Sequence, residues 1–367
     1  MPPSTSLPIV LMIHGMGTHH EPGSAENGLT STQKGVCDGI NETAGHLGFE
    51  DYKFQEKVEL HEFNYSKFLE EILLRDAKKA HELIGHIRML QGRGLLQDVA
   101  SKLVEEFSEA DSGKFIYTHW MDVIYYGLMF WGEKIRNELA AKINELYIQA
   151  NQTGQTVNVI AHSLGTAVLH DTLVKLYRKD ADIRAKAPEL DVDQFKFDAI
   201  IQVSNVSRLV NILNGIGEPH TSVVNSGPGK CAKRFYNFFN EFDPFTWIKR
   251  WDAPIHTGYA ERITTIRDIN THDLTEYAAT PTVCYAIMTN MVGETISDTT
   301  YELGKKAHYD DERNLKKPLD EIEAEFNNVR NAQDMHDKGL TLALLFRNVQ
   351  EAMETAERLR ADFAIKE

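Results

Sequence analysis

Short, largely apolar runs that end in glycine-containing turns constrain the fold of this chain more than any other feature. Residues 8–13 form one such run, which ends in the turn 14–17 (His-Gly-Met-Gly). Residues 157–161 form another, which ends in the turn 162–165 (His-Ser-Leu-Gly). Strands that are apolar on both faces are typical of a parallel sheet that is covered by helices on both sides.

Further strands and helices continue this pattern along the chain. The alternation of apolar and polar residues, or a short apolar run, predicts strands at 57–63, 199–203, 233–239 and 262–269. A long helical stretch at 117–150 precedes the second apolar run, and an amphipathic helix follows residue 163. Strands that alternate with helices predict an α/β fold with a mostly parallel central sheet covered by helices on both faces.

Two segments extend beyond this alternation. Residues 66–116 are polar and helix-forming with glycine breaks, and they predict a lid-like helical insertion in a domain that spans 1–300. Residues 301–367 carry two apolar stripes at helical spacing, and they predict a C-terminal helical hairpin. The stripes can cover each other within a monomer, the interpretation we favour, or they can pair with a second subunit in a homo-oligomer.

Composition narrows the function classes. The formal net charge of −15 argues against nucleic acid and against an anionic membrane surface as partners. The three cysteines have neither metal-ligand spacing nor the pattern of a disulfide framework, which indicates a reducing compartment. His19 and His20 lack a spaced partner for a metal ion. No basic leader and no run of about 18 apolar residues is present, so we predict a cytoplasmic protein without a transmembrane segment.

Ser163 is the strongest candidate for chemistry. A serine hydroxyl is a weak nucleophile unless it is exposed, aligned and next to a base. A sharp turn from strand to helix holds it in that way, and such a turn needs small residues two positions before and two after the serine. Ala161 and Gly165 meet this need. The alternative is a structural serine at the end of a strand.

The turn 14–17 predicts a site for developing negative charge. Attack on an acyl group places charge on the carbonyl oxygen, which two backbone N–H groups must stabilise. We expect these from Met16 and from Leu164, the residue after the nucleophile. Gly15 and Gly17 would let this backbone approach the substrate, with His14 beside it.

Together, the turn 14–17 and the sequence 161–165 (Ala-His-Ser-Leu-Gly) resemble lipases and esterases of the α/β-hydrolase superfamily. The closest likeness is to bacterial lipases whose serine turn begins with Ala rather than Gly. The order of elements extends the resemblance over about residues 8–300, but the motifs themselves are short. The resemblance implies hydrolysis of a small-molecule carboxylic ester through an acyl-enzyme, without metal or cofactor. It also implies an acid and then a histidine, each in a loop after a later strand.

Two loops supply candidates for these roles. Asp243 follows the predicted strand 233–239, and Glu241 and Asp252 are its rivals. His272 follows the predicted strand 262–269, whereas its rival His256 precedes that strand. The resemblance makes Ser163, Asp243 and His272 the predicted triad.

The substrate class stays open. Phe245 and Trp247 follow the strand that leads to the acid and could line an acyl pocket, although buried core explains most of the aromatic residues nearby. The segment 204–208 is more polar than the turn of small residues that the family leads us to expect. The same triad would serve a thioesterase, an amidase or an acyltransferase, and a binding protein could retain the fold without activity.

Overall fold

The computed structural model describes the chain in nine parts, which are residues 6–15, 29–65, 68, 126, 131–219, 221–241, 243–246, 250–265 and 271–310. Within these parts the chain forms an α/β fold around one sheet. Its six strands are β1 (Ile9–Ile13), β2 (Glu59–Phe63), β3 (Val157–His162), β4 (Phe197–Val203), β5 (Ala232–Asn240) and β6 (Gly258–Ile263). Their order across the sheet is β2-β1-β3-β4-β5-β6, and every neighbouring pair is parallel. The predicted α/β class is confirmed.

The helices of the described residues lie between and after these strands. They are α1 (Ser31–His46), α2 (Trp131–Thr153), α3 (Leu164–Tyr177), α4 (Ala181–Arg184), α5 (Ser207–Asn214), α6 (Leu274–Ala278), α7 (Pro281–Ile287) and α8 (Asp298–Asp310). A π-helical turn (Met288–Val292) continues α7, and 3₁₀ turns occur at Phe54–Glu56 and Pro244–Thr246.

The two faces of the sheet bury alternate residues of its central strands. Ile9, Leu11 and Ile13 of β1 pack in the core that includes α2 and α3. Val10 and Met12 pack in the core on the other face, which includes α1, α6 and α7. All five residues of β1 are fully buried, as expected for a strand with helices on both sides.

Some predicted bounds are wrong. The last strand was predicted at 262–269, but β6 spans Gly258–Ile263. The ladder explains the difference, because Ile263 pairs with Asn240, which is the last residue of β5. Helix α1 was not predicted at all, although Thr30 and Gln33 form a capping box at its start.

Several predicted segments fall outside the described residues. They include the insertion 66–116 apart from Phe68, the helical stretch 117–130 apart from Tyr126, and the tail beyond residue 310. The predicted boundary between residues 300 and 301 falls within α8, and α8 packs against α1 and α7.

Candidate active site

Ser163 lies in a sharp turn between a strand and a helix. β3 ends at His162 and α3 begins at Leu164, so a single residue joins them. Ser163 has φ 52° and ψ −129°, a conformation that a residue with a side chain rarely adopts. Its N–H donates to the carbonyl oxygen of Val203 at 3.2 Å, which fixes the turn to the end of β4. Ser163 therefore has the strand–turn–helix context that the sequence predicts.

Two glycines allow the end of β1 to approach this turn. A Cβ atom at Gly165 would clash with the carbonyl oxygen of Ile13 and would lie 2.6 Å from that of His14. A Cβ atom at Gly15 would lie 2.5 Å from the Cβ of Ser163. Neither position accepts a side chain without a shift of its neighbours. A small residue is thus needed at 165 because the backbone at the end of β1 lies directly against it.

His272 contacts the Ser163 hydroxyl directly. It lies in the turn that precedes α6, whose first turn is capped by the Asp273 side chain through a 2.7 Å bond from the backbone N–H of Thr275. The distance from His272 Nε2 to Ser163 Oγ is 2.7 Å. Ser163 is 0% exposed and His272 is 3% exposed, so this contact is shielded from bulk water.

Asp243 contacts the opposite side of the same imidazole ring. It follows β5 in the turn that leads to the 3₁₀ helix, and it is fully buried. Both of its carboxylate oxygens lie 3.0 Å from His272 Nδ1. The backbone N–H of Phe245 donates to Oδ1 at 3.0 Å and helps to fix the carboxylate. Ser163, His272 and Asp243 thus form one continuous chain of hydrogen bonds.

The direction of each bond in this chain follows from the chemistry of its members. A carboxylate only accepts hydrogen bonds, so the His272 nitrogen that faces Asp243 carries the proton. In the neutral ring, Nε2 is then the acceptor, and Ser163 donates to it. The Ser163 proton is therefore already directed at the atom that would receive it.

The rival residues are engaged elsewhere. Glu241 forms ion pairs with Arg250 at 2.9 Å and with an arginine of β6. The Asp252 side chain is 71% exposed and lies 3.4 Å from Arg208. His256 is exposed, and its Nδ1 lies 3.1 Å from a neighbouring threonine hydroxyl. Of the candidate acids and bases, the structure brings Asp243 and His272 to Ser163.

Two contacts of the acid were not predicted. Ser204 Oγ lies 2.5 Å from Asp243 Oδ2, and the Tyr277 hydroxyl donates to the same oxygen at 2.9 Å. Burial raises the pKa of Tyr277 well above its ordinary value, and the Asp243 charge raises it further. The phenol is therefore a stable donor. The only signal for Ser204 in the sequence was the unexpected polarity of the segment 204–208.

The predicted oxyanion site is described in part. Leu164 is fully buried and is the first residue of α3, so its N–H has no acceptor within the helix. Met16 and Gly17 lie outside the described residues. His14 is buried, its Nδ1 lies 2.7 Å from the Gly15 carbonyl oxygen, and burial lowers the pKa of His14. Burial thus favours the neutral form of the His14 imidazole, which follows β1 beside the serine turn.

Two rings pack near His272. The Phe245 ring centroid is 4.3 Å from that of His272, and Phe245 is buried. Trp247 lies outside the described residues. His162 packs beside the base at a centroid distance of 5.0 Å, and its Nε2 lies 2.6 Å from the His272 carbonyl oxygen. Phe245 therefore contacts the candidate base, and its place in an acyl pocket stays a prediction.

Comparisons with known proteins give no relative. No protein-family model, curated protein or solved structure matches this chain. Among the residues that the structure describes, no group of three or more His, Cys, Asp or Glu side chains is arranged to hold a metal ion. No helix in the described parts is long and apolar enough to cross a membrane. The function must therefore be argued from the geometry of the site itself.

Proposed function

We propose that this protein is a serine hydrolase that cleaves carboxylic esters through an acyl-enzyme. One observation carries the proposal: the unbroken chain of hydrogen bonds from the Ser163 hydroxyl through His272 to Asp243, at 2.7 Å and 3.0 Å. A serine that is joined to a base, and a base that is oriented by a third group, is the arrangement that activates a hydroxyl nucleophile.

The fold proposed for this hydrolase is the α/β-hydrolase fold. In that fold the serine lies on a turn between a strand and a helix, and the triad follows in the order Ser, Asp or Glu, His. Ser163 joins β3 to α3, Asp243 follows β5, and His272 follows β6. The parallel sheet and the chain order both support the assignment, and so does the positive φ of Ser163.

The first half of the reaction forms the acyl-enzyme. Ser163 Oγ attacks the ester carbonyl carbon while its proton passes to His272 Nε2. The new bond between serine oxygen and carbon gives a tetrahedral intermediate with charge on the former carbonyl oxygen. When this intermediate collapses, the bond to the alcohol oxygen breaks, and His272 returns the proton to the leaving alcohol. Asp243 stabilises the imidazolium that exists between these two proton transfers.

The second half repeats these steps with water. His272 accepts a proton from water, whose oxygen attacks the acyl carbon. The bond to Ser163 Oγ then breaks, and the serine recovers the proton from His272. The products are a carboxylic acid and an alcohol, and the enzyme returns to its starting state. The cycle thus combines covalent attack by Ser163 with proton transfers through His272, and it consumes one water for each ester.

The charge on the tetrahedral intermediate needs two donors. The N–H of Leu164, at the start of α3, is the first donor in this proposal, because helix N-termini present unused N–H groups and a positive dipole end. The N–H of Met16 is the second. The close approach of Gly15 to Ser163 supports a role for the segment after β1, because it brings that backbone to the nucleophile.

The nucleophile is tested by replacing Ser163→Ala. We expect turnover of p-nitrophenyl esters to fall by several orders of magnitude, because alanine has no hydroxyl with which to form the acyl-enzyme. A fluorophosphonate probe should label the wild-type protein and not the variant. Ser222→Ala is the matched control, since Ser222 is also buried but caps a turn through the Val224 N–H. If the probe labels Ser163→Ala as strongly as wild type, the assignment is wrong.

The leaving group is tested with a matched set of substrates. An ester, a thioester and an amide of the same acyl group should be compared under one set of conditions, and we expect the ester to give the highest kcat/KM. A higher kcat/KM for the thioester or the amide would make the protein a thioesterase or an amidase, and the assignment of the triad would be unchanged. Absence of both turnover and probe labelling would favour a binding protein without activity.

A further inference from the structure

Beyond the three proposed triad residues, a fourth side chain contacts two of them at once. Ser204 Oγ lies 2.5 Å from Asp243 Oδ2 and 2.9 Å from His272 Nδ1. We propose that Ser204 is a positioning residue of this site, whose hydroxyl orients Asp243 and gives the Nδ1–H of His272 a second acceptor. This inference rests on the proposed hydrolase function.

The backbone holds Ser204 in an unusual conformation at the end of β4. Its φ is 48°, in the region that favours glycine, and it is fully buried. Its N–H donates to the carbonyl oxygen of Phe238 in β5 at 3.0 Å. Ser163 has φ 52°, so two of the four non-glycine residues with positive φ among the described residues contact His272. Strained backbone of this kind persists only where surrounding structure fixes it, and it clusters at functional sites.

The hydrogen-bond directions at Ser204 admit one consistent arrangement. Its single hydroxyl proton is donated to Asp243, because the carboxylate can only accept. The Ser204 oxygen then presents a lone pair to His272, whose Nδ1 carries a proton. The Nδ1–H is thus shared between the carboxylate of Asp243 and the hydroxyl of Ser204. The hydroxyl favours the same tautomer of the base that the acid favours.

Tyr277, on helix α6, also holds the Asp243 carboxylate in place. Its hydroxyl donates to Asp243 Oδ2 at 2.9 Å and accepts the backbone N–H of Asn240 at 2.8 Å. Asp243 is therefore held by Ser204 from β4, by Tyr277 from α6 and by the Phe245 N–H from its own turn. Three donors fix the carboxylate in one orientation, and Ser204 is the one that also reaches the imidazole.

This arrangement predicts an effect on the chemical step rather than on substrate binding. Ser204 faces the side of His272 away from Ser163, so it has no contact with the reacting carbon. Its bonds strengthen when His272 becomes positively charged, because a hydrogen bond that involves a charged group is stronger than a neutral one. Loss of the hydroxyl should therefore lower kcat and leave KM near its wild-type value.

The test compares Ser204→Ala and Ser204→Gly with Ser207→Ala. Alanine removes only the oxygen, and glycine also accepts φ 48° without strain. Ser207 is the matched control because it is buried on the same segment, and its hydroxyl bonds to Asn205 instead of the triad. We expect kcat to fall about 10-fold to 100-fold in both Ser204 variants, which is the size of one hydrogen bond to a charged group. The Ser207 variant should keep the wild-type kcat.

A second measurement does not depend on turnover. The Nδ1–H of a hydrogen-bonded imidazole gives a proton resonance far downfield, and its loss in His272→Gln would assign it. We expect this resonance to move in Ser204→Ala and to stay in place in Ser207→Ala. Unchanged kcat together with an unmoved resonance in the Ser204 variants would overturn the inference, even if the esterase is active. If the resonance moves in Ser204→Ala but the wild-type protein hydrolyses no acyl substrate, the contact between Ser204 and His272 is supported and the proposed hydrolase function is wrong.

Discussion

At the scale of single residues, the surroundings of Asp243 explain why this carboxylate suits His272. The donors that contact Asp243 besides the imidazole are a serine hydroxyl, a tyrosine hydroxyl and a backbone N–H. None of them carries a charge, so the negative charge of Asp243 is left to stabilise an imidazolium. Glu241, two residues earlier, pairs with Arg250 instead. Two carboxylates of one loop thus serve different purposes.

Replacement of the acid should therefore separate these two carboxylates. We expect Asp243→Asn to lower kcat on the order of 10⁴-fold, because an amide no longer selects the tautomer with the proton on Nδ1. Glu241→Gln is the control and should leave kcat within a few-fold of wild type. Steady-state kinetics on one p-nitrophenyl ester would measure both. If Glu241→Gln abolishes activity while Asp243→Asn does not, the acid has been assigned to the wrong residue.

The sequence predicts which residues meet at the site better than it predicts what surrounds them. Ser163, Asp243 and His272 each follow a strand of a parallel sheet, and the carboxyl ends of parallel strands meet at one edge. Tyr277 has no such signature, because a donor to a buried carboxylate can come from any element that packs nearby. Ser204 does follow β4 directly, but the positive φ that turns it towards the acid becomes visible only in three dimensions.

At the scale of elements, the contact between α1 and α6 positions the base. Gly39 of α1 lies against α6, where an added Cβ would be 3.0 Å from the carbonyl oxygen of Thr275 and 3.2 Å from the N–H nitrogen of Ala279. His272 precedes α6 by two residues. The close approach of these helices therefore fixes the turn that carries the imidazole.

A larger side chain at this contact should disturb both stability and activity. We expect Gly39→Val to lower the free energy of unfolding by about 1–3 kcal/mol through overpacking, and to lower kcat by moving α6. Gly45→Val is matched in residue type and helix, but a Cβ there meets nothing within 4 Å, so it should leave kcat unchanged. Urea unfolding and ester kinetics would measure the two effects. If both variants lose the same free energy of unfolding and the same kcat, helix propensity rather than packing against α6 would account for the losses.

The elements that the sequence predicts well are those with strong periodicity. The buried strands near 8–13 and 157–161 and the helix after Ser163 are confirmed with small shifts of their ends. The bounds of β6 could not be predicted, because an edge strand has an exposed, weakly apolar face and ends where its partner strand ends. Helix α1 was missed because its mean hydropathy is close to neutral and glycine recurs within it.

At the scale of the whole molecule, buried neutral groups link stability to pH. Burial lowers the pKa of His14 below the value of about 6.5 that it has in an unfolded chain. The unfolded state therefore takes up a proton more readily than the folded state when the pH falls. The contribution of His14 to stability is complete above about pH 6.5 and decreases as the pH falls towards the pKa of the folded state.

Replacement of His14 should make stability less sensitive to acid. We expect the urea midpoint of the wild-type protein to fall between pH 7.5 and pH 5.5, and the fall to be smaller in His14→Gln, because glutamine has no proton to gain. His256→Gln, at an exposed histidine, is the control and should reproduce the wild-type fall. An identical fall in all three proteins would place the acid sensitivity in other groups.

The spread of the site over the sheet has a consequence for synthesis of the protein. Ser163 and His272 are 109 positions apart in the chain, and the strands β4, β5 and β6 lie between them. A ribosome makes the serine first, so every nascent chain that has not yet added and paired its last strand carries a serine without its base. In the proposed hydrolase, activity thus begins only once the sheet is complete, and unfinished or truncated chains cannot attack the esters around them.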